Sequence, residues 1–261
     1  MRSSGMRKVL ILQHMAHEIL GTLNPYLKQK GLNVRYVNFD RTPEEQPNID
    51  KYNGLVILGG PMGVYEANEY PHLKWEMQMI ERALKKDIPI LGICLGSQLL
   101  AQVLGSQVRQ HHEKEIGWYD VKLTEDGKKD KLFEHFGEQQ KVFQIHGDTY
   151  DMPKTATHLA YGDSCESQAF KYGNKAYGLQ FHLEVDKAMI YRWLEKPNNQ
   201  KDIQNSNGKF SFGTIKSETE KYIDNSVQLS HKTFANFVDL FELKERPILL
   251  GSDHAKSLTK K

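Results

Sequence analysis

Residues 90–105 read I-L-G-I-C-L-G-S-Q-L-L-A-Q-V-L-G. The first half is a short apolar run bounded by Pro89, the mark of a strand over Ile88–Ile93. The second half takes helical spacing over Ser97–Leu104 and stops at Gly105, the usual place for a residue with positive φ. A strand that passes into a helix with no loop between them is one βα unit of a parallel sheet. Its neighbours fit the same plan. Lys8–Gln13 (K-V-L-I-L-Q) reads as a buried strand and Ile19–Lys30 as a helix ended by Gly31. Val34–Phe39 and Gly54–Gly60 read as further strands. Pro71–Asp87 reads as a helix, because Leu73, Met77, Ile80 and Leu84 recur at helical intervals. Solid apolar strands alternating with helices predict an α/β fold whose mostly parallel sheet is covered on both faces.

The middle of the chain changes character. From Val108 to Val185 it carries short strand-like stretches and turns, with Gly-Asn inside Tyr172–Ala176 as a hairpin turn. This is an added antiparallel β region. Asp186–Glu195 resumes helical spacing, and the polar stretch Asn198–Lys209 reads as a loop. A last helix carries Ile223, Val227, Ser230, Phe234, Phe237 and Phe241 on one stripe, which fits packing back on the domain better than binding a partner. The expected organisation is one domain over 6–196, a helical extension over 197–246 and a flexible tail over 247–261.

Composition narrows the function classes. The chain has 261 residues and a formal net charge of +2, from 35 basic and 33 acidic residues spread along its length. No basic stripe predicts nucleic-acid binding. No apolar stretch approaches the roughly 18 residues of a membrane span, and the run Val9–Leu12 is too short for a signal-peptide core. Two cysteines at unrelated positions make no disulfide framework, which predicts a reducing, cytoplasmic setting. No motif calls for a cofactor or a metal.

Cys94 is the first candidate for chemistry. Between Gly92 and Gly96, at a strand–helix junction, a thiol is presented on a sharp turn at the carboxyl edge of the sheet, as G-x-S-x-G presents a serine. The helix N-terminus favours a thiolate, and the next backbone N–H groups, from Leu95 on, point where an oxyanion would form. The competing reading makes Cys94 a buried filler between ordinary turn glycines, and the elbow alone does not decide between them. Among eleven histidines, His182 stands out. In Gly178–Glu184 strand alternation would put His182 and Glu184 on one side, about 6–7 Å apart, so that the acid orients the imidazole; a solvated edge pair is the plainer alternative. A third piece is Gly59-Gly60-Pro61-Met62-Gly63, whose glycines let backbone amides approach a ligand and supply a second oxyanion donor. His111, His112, Glu113 and Glu115 fit no metal-ligand spacing. Cys165, in S-C-E-S-Q-A-F, has no elbow around it and reads as structural.

G-G-P-M-G, then G-I-C-L-G-S-Q, then Q-F-H-L-E occur in the order found in class I (triad-type) glutamine amidotransferases, and the chain resembles that family from about Lys8 to Glu195. The likeness is closest to the stand-alone, GMP-synthase-like branch, through G-G-P-M-G-V-Y-E, E-I-G-W, Q-I-H-G-D-T and G-L-Q-F-H-L-E-V. The resemblance implies a flavodoxin-like fold with Cys94 as nucleophile, His182 as general base and acid, and Glu184 as the orienting carboxylate. It implies oxyanion donors at Gly60 and Leu95, and substrate contacts at Gln98, Gly147 and Asp148. Leu183 replaces the family's common proline and keeps the His–Glu spacing. Ile145 stands where some members carry a polar residue. The implied reaction releases ammonia from glutamine through a γ-glutamyl thioester. Residues 196–261 are too few for an ATP-dependent synthetase, so the ammonia would go to a separate synthetase subunit. Alternatively the enzyme would cleave γ-glutamyl peptides with no acceptor, or the chain would be a non-catalytic regulatory or binding subunit.

Overall fold

The apolar runs become neighbouring strands. The computed structural model describes residues 7–241. Its strands are β1 (Lys8–Gln13), β2 (Asn33–Asn38), β3 (Gly54–Ile57), β4 (Ile90–Ile93), β5 (Val108–Leu123), β6 (Gln139–Tyr150), β7 (Thr157–Gly162), β8 (Ala169–Tyr172) and β9 (Ala176–Leu179). They form one sheet in the order β2-β1-β3-β4-β9-β8-β7-β5-β6. The first five strands pair in parallel and the others antiparallel. The parallel part has the flavodoxin-like order, with the strand sequence reversing between β1 and β3, where such sheets open a crevice at their carboxyl edge.

Alternate residues of the parallel strands feed two cores, which is why their sequences are apolar throughout. Val9, Ile11, Val56, Leu91 and Ile93 pack on one face; Leu10, Leu12, Leu55, Ile57 and Ile90 pack on the other. The helices α1 (Asn24–Gln29), α2 (His72–Lys85), α3 (Leu95–Val103), α4 (Glu125–Lys129), α5 (Lys187–Leu194), α6 (Pro197–Gln204) and α7 (Phe212–Asp239) surround the sheet. The Gly-Asn hairpin forms as expected: Tyr172 pairs with Ala176, and Gly173 takes φ +57.

Four expectations need correction. The helix expected over Ile19–Lys30 is a single 3₁₀ turn at Gly21–Leu23 followed by α1, because Pro25 suits the first turn of a new helix and not the middle of an old one. The α2 stripe is rotated: Met77 and Leu84 are only partly buried, while Glu76 is fully buried in the stripe. The loop expected from Asn198 begins as a helix, α6, again opened by a proline, Pro197. The strand expected through Glu184 ends at Leu179, beyond which only an isolated bridge joins His182 to Phe143.

The last helix packs on the domain. Its Leu229, Phe234, Phe237 and Val238 join the core on the first face, and Ile215 and Ile223 pack with Trp118, Phe143 and Trp193. Trp118 Nε1 donates to Thr219 Oγ1 at 2.9 Å, and the Tyr26 hydroxyl meets His231 Nδ1 at 2.8 Å. We therefore propose that residues 197–241 are part of the same folding unit as 7–196. The tail expected over 247–261, with 242–246, lies outside the described residues.

Candidate active site

Cys94 stands at the carboxyl end of β4 with φ +51 and ψ −108, a conformation that L-residues with a side chain rarely adopt. Its flanking glycines make the turn sterically possible. A Cβ on Gly96 would lie 2.1 Å from the Ile57 carbonyl oxygen, and one on Gly92 would lie 2.4 Å from that of Gly96. The Cys94 N–H donates to Leu179 O at 2.8 Å, which ties the elbow to β9, and Ser97 Oγ donates to Cys94 O at 2.7 Å. The strained backbone at this one residue favours the elbow reading over the filler reading.

His182 and Glu184 arrive from the segment after β9. His182 Nδ1 lies 2.7 Å from Glu184 Oε1, with 1% and 2% of the two residues exposed, so this is a buried pair and not a solvated edge pair. The backbone beyond Leu179 is not a regular strand, yet the i, i+2 relation still sets the two groups together. Burial opposes a charge on His182, but the Glu184 carboxylate and the Cys94 thiol outweigh it and hold its pKa well above the usual imidazole value. Nε2 itself has no hydrogen-bond partner among the described residues; contacts of a catalytic kind are often loose before substrate binds. Trp193 packs edge-on against the imidazole, with ring centroids 4.8 Å apart.

Gln98 lies close to the place the sequence suggests, but its amide is already engaged. Nε2 donates to Asp148 O at 3.2 Å and to Gln180 Oε1 at 3.1 Å. Gln180 in turn donates to Cys94 Sγ at 3.6 Å. Gln180 was legible only as the first letter of Q-F-H-L-E; nothing in its type or spacing announced a donor to sulfur. Gly60, Gln98, Gly147 and Asp148 line a cavity of about 720 Å³ together with Cys94. Among the described residues, no acceptor takes the N–H of Gly60 or of Leu95. Burial raises the pKa of the Asp148 carboxyl, while Tyr65 donates to it at 3.3 Å.

A second cavity of about 270 Å³ also reaches Cys94 and His182, walled by Met15, Pro61, Ile145 and Trp193. Ile145 borders both spaces, with its carbonyl 4.0 Å from Cys94 Sγ. Glu18, which the sequence did not single out, contributes the one carboxyl of the second cavity. A Cβ on Gly59 would fall 2.2 Å from Glu18 Oε2 and 3.2 Å from His182 Cε1, so the acid and the imidazole both approach this glycine. Burial pushes Glu18 up to about 7; the positive charge of His182 and His14 resists this, and Glu184 adds to it.

The His111 to Glu115 stretch does not converge. His111 bonds the Glu113 backbone, Glu113 pairs outward with Lys209, and Glu115 turns inward to His146 Nε2 at 2.8 Å. Two other buried groups bring potential ligand atoms together, His14–His72–Glu76 and Glu115–His146–Cys165. Cys165 is buried, and burial pushes its thiol up to about 11, which suits an unreactive structural role.

The chain is similar to known proteins over most of its length. The profile of the family Glutamine amidotransferase class-I matches residues 16–189. The glutamine amidotransferase-like protein YfeJ of Salmonella typhimurium is 31% identical over 235 residues, covering 89% of this chain and 96% of that protein. The glutamine-hydrolyzing GMP synthase of Bacillus subtilis is 32% identical over 185 residues, which is 69% of this chain but only 32% of that enzyme. A crystal structure of a glutamine amidotransferase from Thermotoga maritima superposes with a TM-score of 0.79 at 36% identity, over 90% of this chain and 99% of that one.

Proposed function

The chain belongs to the class I glutamine amidotransferase family, and from that premise we propose that it hydrolyses the side-chain amide of glutamine by acyl transfer through Cys94, His182 and Glu184. The Cys94 thiolate attacks the γ-carbonyl carbon, and the carbonyl oxygen takes the negative charge against the N–H groups of Gly60 and Leu95. His182 gives its proton to the departing nitrogen, so ammonia leaves and a γ-glutamyl thioester remains. Water that loses a proton to His182 then attacks the thioester and releases glutamate and the thiolate. Glu184 fixes the imidazole so that Nδ1–H faces the carboxylate and Nε2 faces the sulfur. Gln98 acts by orienting Gln180 and the Asp148 carbonyl, and Gly147 and Asp148 line the glutamine pocket. The observation that carries the reading is the positive-φ thiol beside a buried His–Glu pair held at 2.7 Å.

We further propose that a separate synthetase subunit consumes the ammonia, by analogy with the GMP synthase of which this chain spans about a third, and that the enzyme works in the cytoplasm with both cysteines free. Among the described residues, no helix is long and apolar enough to cross a membrane. A second reading, cleavage of γ-glutamyl peptides without an acceptor, is favoured by the second cavity at Cys94 and His182, which has room for a leaving group larger than ammonia.

Purified protein supplied with glutamine and with γ-glutamyl dipeptides tests both. Glutamate release from glutamine that Cys94→Ala abolishes supports the first reading. Strong dipeptide cleavage with negligible glutaminase activity replaces it with the second. A glutamine-derived electrophile that leaves Cys94 unlabelled overturns both and returns the chain to a non-catalytic subunit.

A further inference from the structure

Behind the glycine loop that follows β3 lie three side chains with no part in the chemistry just described. His14, the first residue after β1, is 0% exposed and places Nδ1 2.9 Å from the carbonyl oxygen of Gly59. Its Nε2 lies 2.9 Å from Glu76 Oε2, and Glu76 Oε1 lies 2.8 Å from His72 Nδ1. Glu76 and His72, one turn apart on α2, are also buried. Phe39 stacks flat against His72, with centroids 4.6 Å apart and planes at 7°, so the far end of the chain is packed as well.

The hydrogens on His14 are constrained by its partners. A carbonyl oxygen only accepts, so Nδ1 carries a hydrogen. Nε2 faces a carboxylate, and a hydrogen there as well makes His14 an imidazolium bonded to the Glu76 carboxylate. Burial disfavours charge on both groups. Their mutual attraction outweighs it, holding His14 above the usual imidazole value and Glu76 below the usual carboxylate value, with Glu18 also favouring the charge on His14. Buried ion pairs are costly unless fully hydrogen bonded. Here both Glu76 oxygens and both His14 nitrogens have partners.

The carbonyl of Gly59 and the N–H of Gly60 belong to one planar trans peptide, so holding the oxygen in place aims the N–H in the opposite direction. Two successive glycines have no stiffness of their own to keep that direction. A Cβ on Gly60 would lie 2.9 Å from His14 Cβ, so the imidazole sits directly beneath the loop. We propose that His14, oriented by Glu76 and His72, is a positioning residue that fixes and polarises the Gly59–Gly60 peptide, so that the Gly60 N–H meets the oxyanion as it forms. This rests on the acyl-transfer reading; His14 itself touches no substrate. A hydrogen bond from a cation to the carbonyl draws electron density through the peptide and makes its N–H a stronger donor.

The test uses the full chain with Glu76→Gln, His14→Leu and His14→Asn. Removing an oxyanion donor costs about 10²–10³ in kcat. Here the donor remains but its aim is loosened, so Glu76→Gln should lower kcat about tenfold with KM for glutamine unchanged. Labelling of Cys94 by a glutamine-derived chloroketone, whose ketone oxygen occupies the oxyanion position, should slow by the same factor. Alkylation by iodoacetamide, which is not held in that pose, should not. His14→Asn, which keeps an N–H near the position of Nδ1, should retain more kcat than His14→Leu. In the ligand-free protein the Gly60 amide resonance should move in Glu76→Gln. An unmoved Gly60 resonance overturns the proposal, as does a loss of kcat matched by KM and by iodoacetamide, which would mark a merely structural role. Wild-type protein that consumes no γ-glutamyl amide defeats the acyl-transfer reading instead, and with it the oxyanion role; the Gly60 resonance still reports the anchoring separately.

Discussion

Glu18→Gln removes a titrating carboxyl from the second cavity while keeping its shape, and its effect on stability follows from one folded-state pKa. In the unfolded chain the carboxyl ionises at its ordinary 4.5, and in the fold at about 7. Below 4.5 both states hold the proton and the wild type pays no penalty relative to the glutamine variant. Between 4.5 and about 7 the folded state binds more protons than the unfolded state, so wild-type stability falls as pH rises. Above 7 the carboxyl is charged in both states and the cost of burying it is complete. At about 1.4 kcal/mol per pH unit, that interval caps the loss at about 3 kcal/mol. The charges of His182, His14 and Glu184 enter the same balance, so the difference between wild type and variant should be measured and not either curve alone. Urea unfolding of both proteins at pH 5, 6, 7 and 8 gives that difference. The variant should gain steadily on the wild type from pH 5 to 7 and then level off. A difference that stays constant across the series would refute the placement of a half-buried carboxyl beside Gly59.

Gly96→Ala puts a methyl 2.1 Å from a backbone oxygen of β3, where no flexible side chain can yield; it should unfold the elbow and abolish Cys94 labelling, read by mass spectrometry. Gln180→Leu removes the N–H that points at the Cys94 sulfur; losing about 1 kcal/mol of thiolate stabilisation should slow iodoacetamide alkylation at pH 7 roughly fivefold. Thr219→Val leaves the buried indole N–H of Trp118 without its acceptor; it should cost about 1–3 kcal/mol in a single cooperative unfolding transition. A separate early transition would show instead that α7 is not part of the domain.

The parallel strands, the strand–helix junction at Cys94 and the closeness of His182 to Glu184 were legible because each leaves a local signature. A strand buried on both faces must be apolar throughout, and a nucleophile elbow needs small residues on either side. Helix starts were misread where a proline opened a new helix, at Pro25 and Pro197, because the same residue also reads as a breaker. His14, Glu76 and Glu18 gave no signal at all. His14 follows an apolar strand like any loop residue, and Glu76 occupies a helix position that spacing alone would leave polar and solvated. Their partners come from β1, β3 and α2, and no single window of sequence brings these together. The contact between Gln180 and Cys94 joins residues 86 apart and is equally invisible locally.

The proposed reacting groups and the side chain beneath their glycine loop follow the ends of four neighbouring parallel strands: His14 after β1, the glycine loop after β3, Cys94 after β4 and His182 after β9. Such strands are the last part of a fold to open in hydrogen-exchange experiments, because opening them exposes both cores at once. The site therefore borrows the kinetic lifetime of the sheet, and its geometry should persist until the molecule unfolds as a whole. The α6 segment, which lines both cavities through Asn198 and Asn199, is held outside the parallel sheet, by Ile203 in the core around Trp118 and by Asn199 Nδ2 on Trp193 O.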